Sequence, residues 1–309
     1  MLNKPILITG GTGFLGSALT FALLRDNHDV VIFSRNEQTV LRAFGNQVHA
    51  VSNIGQLSDA GNFKAIVNLA GAGIFDRPWS KARKAVLRDS RIQLTENLTD
   101  WVSRSKGKPD VFINGSAIGI YGNQADTLLD ENSASEPDFS QQLCVDWEMA
   151  AMRLESEDIR VCLVRTGLVL GQGGGLLQRM LLPFRWGLGG RLGNGRQWMS
   201  WIHIQDWLSM VRAMMADDTM RGPYNATAPH PVTNQDFSVC LAKVLNRPLL
   251  LPLPEKLLTF LLGEMSSLVL GSQRVLPRRL LDQGFLFQFP QLEPALRQLL
   301  LPDGSSKSC

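Results

Sequence analysis

The densest run of chemically suggestive residues stands at the start of the chain, where the apolar stretch Ile6-Leu-Ile-Thr9 leads into Gly10-Gly-Thr12-Gly13-Phe14-Leu15-Gly16 and then into residues of helical period. Glycine at the first of these positions allows a tight turn. At Gly13 it lets backbone N–H groups approach a pyrophosphate, and at Gly16 it permits close helix–strand packing. The N-terminus of the following helix favours negative charge. Thr12, Phe14 and Leu15 fall inside the same cradle. A second strand ending about twenty residues later completes the context of a dinucleotide-binding turn, as opposed to an ordinary glycine-rich loop.

That second strand ends Val31-Ile32-Phe33-Ser34-Arg35. A site selective for NAD normally places an acid there to accept from the ribose hydroxyls, and no acid is present. Ser34 can donate a hydrogen bond and Arg35 can fork onto a phosphate, so the pair suits the 2′-phosphate of NADP. The plainer alternative is a solvated charge at a strand end. A later strand closes with Asn68, Leu69, Ala70 and Gly71, where the chain must pass beneath the ribose and nicotinamide.

The elements that position these residues follow from the apolar pattern. Short β-type runs at Ile6–Thr9, Val30–Ser34, Val48–Val51, Ala65–Leu69, Val111–Ser116 and Val161–Arg165 alternate with helical periods at Leu15–Arg25, Ser80–Ser103 and Gln142–Glu155. That pattern predicts an α/β fold with a doubly wound parallel sheet. Gly171 to Trp198 is rich in glycine and predicts irregular backbone at the junction with a smaller C-terminal substrate lobe. The expected division is 1–170 for the nucleotide-binding domain, with part of the later chain returning to it, 171–301 for the lobe, and 302–309 for a flexible tail.

Composition narrows the partners. The 309 residues are 44% hydrophobic and 19% charged, and 31 basic residues against 28 acidic ones leave a net charge of +3. Such a balance offers no broad field for a nucleic-acid backbone. The four cysteines, Cys144, Cys162, Cys240 and Cys309, are scattered and pair with no histidine at metal-ligand spacing, so no metal is expected. The strand starting at Pro5 leaves no room for a secretory signal, which predicts a cytoplasmic protein. Leu249 to Leu270 is the most apolar region, but Pro252, Pro254, Glu255, Lys256, Gly263 and Glu264 interrupt it. It cannot supply the ~20 apolar residues of a membrane span and belongs to a core or an interface. A small molecule is the expected partner, for a monomer or a homodimer.

Further motifs accumulate along the chain: Trp79-Ser80, Ser90-Arg91, Ser116-Ala-Ile-Gly-Ile-Tyr121-Gly, Asp146-Trp-Glu148, RTGLVLGQGGG, LGNGRQWMSWIHIQDW, YNATAPHPVTN and VLPRRLL. With the glycine turn they resemble the YfcH-like epimerase family, atypical extended short-chain dehydrogenase/reductases, over nearly the whole chain. The resemblance implies a Rossmann domain with a small C-terminal lobe and NADP as cofactor. It puts Ser34 and Arg35 at the 2′-phosphate, Leu69 and Ala70 along the ribose, Arg91 near the phosphates and Val169 at the nicotinamide end.

The superfamily reaction uses a tyrosine, a lysine four residues on to depress its pKa, and a serine to bind the substrate oxygen. Here Tyr121 is followed four residues later by Ala125 and Tyr224 by Ala228, so no YxxxK exists. The usual helix position reads Cys144-Val-Asp-Trp-Glu148. Ser116, Tyr121 and Glu148 remain as candidates to bind a substrate oxygen, donate a proton and accept one. Each has a structural alternative: a turn cap, a packed ring, and a solvated acid or partner for an arginine. Trp198, Trp201, His203 and Asp206 could wall a substrate pocket, although His203 between two isoleucines reads as a structural histidine. Arg165, Arg191 and Arg196 could meet an anionic substrate or form ion pairs. Two functions fit: an NADP-dependent oxidoreductase or nucleoside-sugar-type epimerase, and a catalytically silent NADP(H) sensor or scaffold.

Overall fold

Ile6, Leu7, Ile8 and Thr9 are all buried, as a strand covered on both faces requires. A computed structural model describes residues 4–301; the expected tail at 302–309 lies outside the described residues. The chain begins β1 (Ile6–Thr9), α1 (Phe14–Arg25), β2 (Val30–Phe33), α2 (Glu37–Phe44), β3 (His49–Val51) and β4 (Ala65–Asn68). It continues α3 (Lys81–Asp89), α4 (Ile92–Arg104), β5 (Val111–Ala117), β6 (Leu128–Leu129), α5 (Phe139–Met152), β7 (Val161–Thr166), β8 (Leu168–Leu170) and α6 (Gly175–Arg185). Then come β9 (Trp198–Met199), β10 (Trp201–His203), α7 (Ile204–Ala216), β11 (Gly222–Ala226), β12 (Val232–Thr233) and α8 (Asn234–Val244). The last elements are α9 (Glu255–Leu262), α10 (Ser267–Leu270), β13 (Arg274–Val275), α11 (Arg278–Asp282) and α12 (Leu292–Leu300).

A seven-stranded sheet runs in the order β11-β7-β5-β4-β1-β2-β3. β1 pairs in parallel with both β2 and β4, β2 with β3, and β4 with β5. Chain order therefore reverses between β1 and β4, which is the switch point where ligands of doubly wound sheets bind. On one face Leu7, Ile66, Phe112 and Leu163 pack with Leu98 and Val102 of α4. Alternation turns Ile6 and Ile8 to the opposite face. The fold class is the α/β Rossmann arrangement that the pattern predicts.

Two compact units interleave along the chain. The first holds the chain up to Ile120, Phe139–Arg165 and Leu208–Tyr224; the second holds Tyr121–Asp138, Thr166–Trp207 and the chain from Asn225 onward. Residues 121–138 thus group with the second unit, whereas a single boundary at 170 assigns them to the first. The second unit has its own core, in which Trp201, Phe184 and Met180 pack with Phe237 and Leu241 of α8 and Leu296 of α12.

Two local expectations change. The long helix predicted over Ser80–Ser103 is two helices, α3 and α4, broken at Ser90-Arg91. There Ser90 Oγ accepts from Ala72 N at 3.0 Å, and Arg91 turns its side chain to the carbonyls of Leu87 and Ala72, each at 3.1 Å. The tertiary contact to the loop after β4 replaces one turn of helix. The second change is α6, which forms inside the glycine-rich stretch because residues 176–182 are good helix formers.

Candidate functional site

Gly10 has φ of 67°, the left-handed region, and a Cβ there would lie 2.7 Å from the Leu69 carbonyl oxygen and 2.9 Å from Ala70 N. A Cβ on Gly16 would collide with the Gly10 carbonyl. Gly13 differs. Its φ of −77° suits any residue, and its Cβ would meet only the Gly10 oxygen, at 3.2 Å. Gly13 N–H donates to that oxygen at 2.9 Å, closing the turn. Thr12 and Gly13 are exposed, while Phe14 and Leu15 are half-buried. α1 starts at Phe14 with no side-chain cap and no acid in its first turn, so its leading N–H groups and the helix dipole remain available to an anion.

At the end of β2, Ser34 N–H donates to Val51 O at 2.9 Å and the Ser34 hydroxyl lies 3.4 Å from Asn36 N. Asn36 caps α2 by accepting from Thr39 N at 3.2 Å. Arg35 is exposed and forms no ion pair among the described residues. The nearest acid in sequence, Glu37, accepts from Ser52 Oγ at 2.6 Å.

Asn68 needs a correction. Its side chain is buried and points into the protein: Oδ1 accepts from Thr9 Oγ1 at 2.6 Å, and Nδ2 donates to Thr95 Oγ1 at 2.8 Å and Asn114 Oδ1 at 2.7 Å. Trp147 Nε1 donates to the same Thr95 hydroxyl at 3.0 Å. This network ties β1, β4, β5, α4 and α5 together. Asn68 acts as an internal strut, and the open part of the segment is Leu69, Ala70 and Gly71. Arg91 lies directly beneath: a Cβ on Gly71 would sit 2.7 Å from its guanidinium carbon, which rests 5.3 Å from the centre of the Trp147 ring. Burial holds Arg91 below its ordinary pKa, and among the described residues it has carbonyl partners and no carboxylate.

A second cluster in the same unit joins the ends of β5 and β7 to α5. Ser116 Oγ donates to Glu148 Oε1 at 2.6 Å, and Arg165 forks onto the same carboxylate, Nε to Oε1 and Nη2 to Oε2, both at 2.9 Å. Glu148 and Arg165 are nearly buried, with side chains 9% and 11% exposed. Cys144 stands one helical turn before Glu148 on the same face. Burial, and then the charge of Glu148, push its thiol up to about 12, against stabilising contacts to Ala117 N–H, Arg91 and Ser116. It is a neutral thiol at physiological pH. Glu148 is therefore an arginine's partner, not a solvated acid, and Arg165 is an ion-pair residue. No spacing rule links positions seventeen apart, so the clamp had no sequence signal.

Tyr121 and Val169 belong to the second unit. The Tyr121 ring is buried and its hydroxyl donates to Asn225 Oδ1 at 2.7 Å, while Asn225 N–H donates to Glu131 at 3.0 Å. Burial raises the pKa of Glu131. Val169 sits mid-strand in β8, opposite Ile202 of β10. The proposed pocket wall is largely interior: Trp201 is a core residue, and Asp206 accepts from Gln288 N and Phe289 N at 2.7 and 3.0 Å. His203 accepts at Nδ1 from Gln205 N at 3.1 Å and lies against Phe289, and burial lowers its pKa to about 4. It is a structural histidine. Only Trp198 of this group is partly exposed. Among the described residues no cluster of metal-binding side chains occurs, and no helix is long and apolar enough to cross a membrane.

A parallel sheet with a glycine turn at its switch point, together with a second unit drawn from segments interleaved with it after β5, defines an extended short-chain dehydrogenase/reductase. Residues 6–226 match the NAD dependent epimerase/dehydratase family, and 253–299 match a domain of unknown function, DUF1731. The chain belongs to the NAD dependent epimerase/dehydratase family. It is 39% identical over 297 residues to the epimerase family protein YfhF of Bacillus subtilis, covering 96% of this chain and 97% of that one. It is 36% identical to the chloroplastic epimerase family protein SDR39U1 homolog of Arabidopsis thaliana, covering 96% and 87%. Among solved structures, the human epimerase family protein SDR39U1, crystallised with NADPH, is similar with a TM-score of 0.87 at 33% identity, covering 96% and 98%.

Proposed function

We propose that this protein binds NADP(H) on the Gly10–Gly16 turn and oxidises or reduces a small polar substrate, as an oxidoreductase or epimerase, with proton handling through Ser116 and Glu148 in place of the missing tyrosine–lysine pair. The observation that carries the reading is the Ser116–Glu148–Arg165 clamp at 2.6 and 2.9 Å, set where the sheet's C-terminal strand ends meet α5. The cofactor assignment is supported by the uncapped α1 terminus, the room above Gly13, Arg91 beneath Gly71, and the human relative crystallised with NADPH.

When bound, NADP(H) supplies a hydride acceptor or donor. The chain's residues do the rest. Because the Ser116 hydroxyl donates its hydrogen bond to Glu148, its oxygen lone pairs are left to accept from a substrate hydroxyl. A proton leaving that hydroxyl passes to Ser116 Oγ as the serine proton passes to Glu148 Oε1. Arg165 fixes the carboxylate by its fork and balances its charge. Cys144 takes no part as an acid or base, since a thiol at about 12 holds its proton.

Calorimetric titration of NADPH and NADH tests the cofactor half. Arg35→Ala is expected to weaken NADPH by about 1–3 kcal/mol, the range for a charge-assisted contact, and to leave NADH nearly unchanged. Equal losses refute the 2′-phosphate assignment. A screen of NADPH oxidation over aldehydes, ketones and nucleotide sugars tests the chemical half, with Ser116→Ala on any hit; turnover that survives this change removes Ser116 from the mechanism.

A further inference from the structure

α9 carries apolar residues on two faces. Leu258 is buried, while Leu257, Phe260 and Leu261, spaced as neighbours on one side of a helix, are exposed, Phe260 to 85%. A surface helix normally keeps its apolar stripe for the core, and α9 shows solvent a second one. No step of the proposed chemistry uses it.

The chain that leads into α9 extends this face. Leu250 N–H donates to Gly189 O at 3.2 Å and Leu253 N–H to Arg191 O at 2.9 Å, so residues 248–253 run beside residues 187–193. Leu250 and Leu251 are exposed on one segment and Leu188 on the other. Leu188 N–H donates to Pro183 O at 2.9 Å, which folds the loop back against the end of α6, where Leu182 and Trp186 are exposed as well, Trp186 to 75%. All these residues belong to the second unit. Elsewhere, exposed Val86 on α3, Met149 on α5 and Val239 on α8 stand singly on their helices.

Weighted by exposure, the face presents on the order of 1,000 Å² of apolar surface, beyond the roughly 300–600 Å² of the largest patch on an ordinary monomer and above the ~800 Å² that each partner gives to a standard interface. Pro248, Pro252 and Pro254 lack N–H groups and leave little of this edge for a further strand, so contact is made through side chains. The exposed rim mixes signs, Arg185 and Lys256 against Glu255 and Glu264. Two copies about a twofold axis therefore meet without net repulsion, whereas an anionic membrane surface selects basic residues.

We infer that this face is the self-complementary interface of a homodimer, with Trp186 and Phe260 as its anchors. Its occupant is the same face of a second copy of the chain. Aromatic anchors suit it because they cover a large area with few rotatable bonds.

Sedimentation velocity of the full chain, up to about 100 μM, should show a dimer. Phe260→Glu and Trp186→Glu each put a charge into the contact and should raise the dimer dissociation constant about 30-fold or more, the loss expected for a hot-spot anchor. Both side chains are exposed in the single chain, so circular dichroism spectra should be unchanged. Val86→Glu, in the first unit, should leave the dimer intact. A chain that stays monomeric at about 100 μM overturns the inference, as does a dimer whose dissociation constant moves less than about threefold in Phe260→Glu and in Trp186→Glu. Co-sedimentation with phosphatidylserine–phosphatidylcholine vesicles tests the other occupant: the wild type should remain in the supernatant. Pelleting that Phe260→Glu abolishes would assign the face to a membrane surface and overturn the dimer.

Discussion

Glu148→Gln isolates the clamp that joins the ends of β5 and β7 to α5. The two oxygens of Glu148 accept three hydrogen bonds, from Ser116 Oγ, Arg165 Nε and Arg165 Nη2. A glutamine keeps one oxygen, which can still serve Ser116 and Arg165 Nε. Its NH2 group must then face Arg165 Nη2 across a gap of 2.9 Å, donor against donor, and the guanidinium loses its counter-charge. With side chains only 9% and 11% exposed, water compensates little. Breaking a buried pair by removing one partner costs roughly 3–5 kcal/mol, and the retained oxygen places this change at the lower end, about 3 kcal/mol. At roughly 2–4 °C per kcal/mol for a large domain, Tm should fall by about 6 °C or more. Circular dichroism melts of Glu148→Gln, Arg165→Met and the double variant Glu148→Leu/Arg165→Met measure it. The double variant should be more stable than Glu148→Gln, because it leaves no unpaired buried charge. A Glu148→Gln protein melting within about 1 °C of the wild type, or a double variant no better than the single, refutes the clamp as a buried ion pair.

Gly13→Val should leave the circular dichroism spectrum intact, since φ of −77° suits valine and only the Gly10 oxygen is close, yet abolish NADPH binding by filling the path of the pyrophosphate; retained binding would make the turn merely structural. Cys144, with its folded-state pKa raised to about 12, adds stability below its ordinary value of 9.0 that is lost as pH rises from about 9 towards 12. At pH 8 iodoacetamide should therefore label half-buried Cys240 well before Cys144, as read by peptide mass spectrometry, and equal rates would contradict this burial. His203, lowered from 6.5 to about 4, stays neutral in the fold while the unfolded chain takes up a proton, so stability should fall as pH drops from about 6.5 towards 4. Urea midpoints at pH 7 and 4.5 should differ less in His203→Gln than in the wild type; an unchanged difference assigns the acid sensitivity elsewhere.

Much of the fold was legible because it depends on local pattern. The buried runs Ile6–Thr9 and Ala65–Asn68 announce parallel strands by three successive apolar residues before a single polar one, and the glycines at 10 and 16 stand where backbone contact leaves no room for a Cβ. Where tertiary contact overrides local preference, the pattern misleads. Ser80–Ser103 has helical period without interruption, yet Arg91 leaves the helix to reach Ala72 O, a partner nineteen residues away. Leu250, Leu257 and Phe260 are exposed, so the most apolar stretch supplies more than core.

The sequence by itself determined the class of fold, the cofactor turn, the absence of an acid after β2 and the absence of YxxxK, because each is a statement about residue types at short spacing. Only the tertiary structure decided what the leftover polar residues do. Asn68 became a strut through partners at Thr9, Thr95 and Asn114, Glu148 became the partner of Arg165, and the Tyr121 hydroxyl donates its hydrogen bond to Asn225 across 104 residues. Hydrogen bonds and ion pairs between polar side chains are short-ranged in space and indifferent to separation along the chain. Apolar periodicity foretells the layers that bring such groups together, but not which of them will meet.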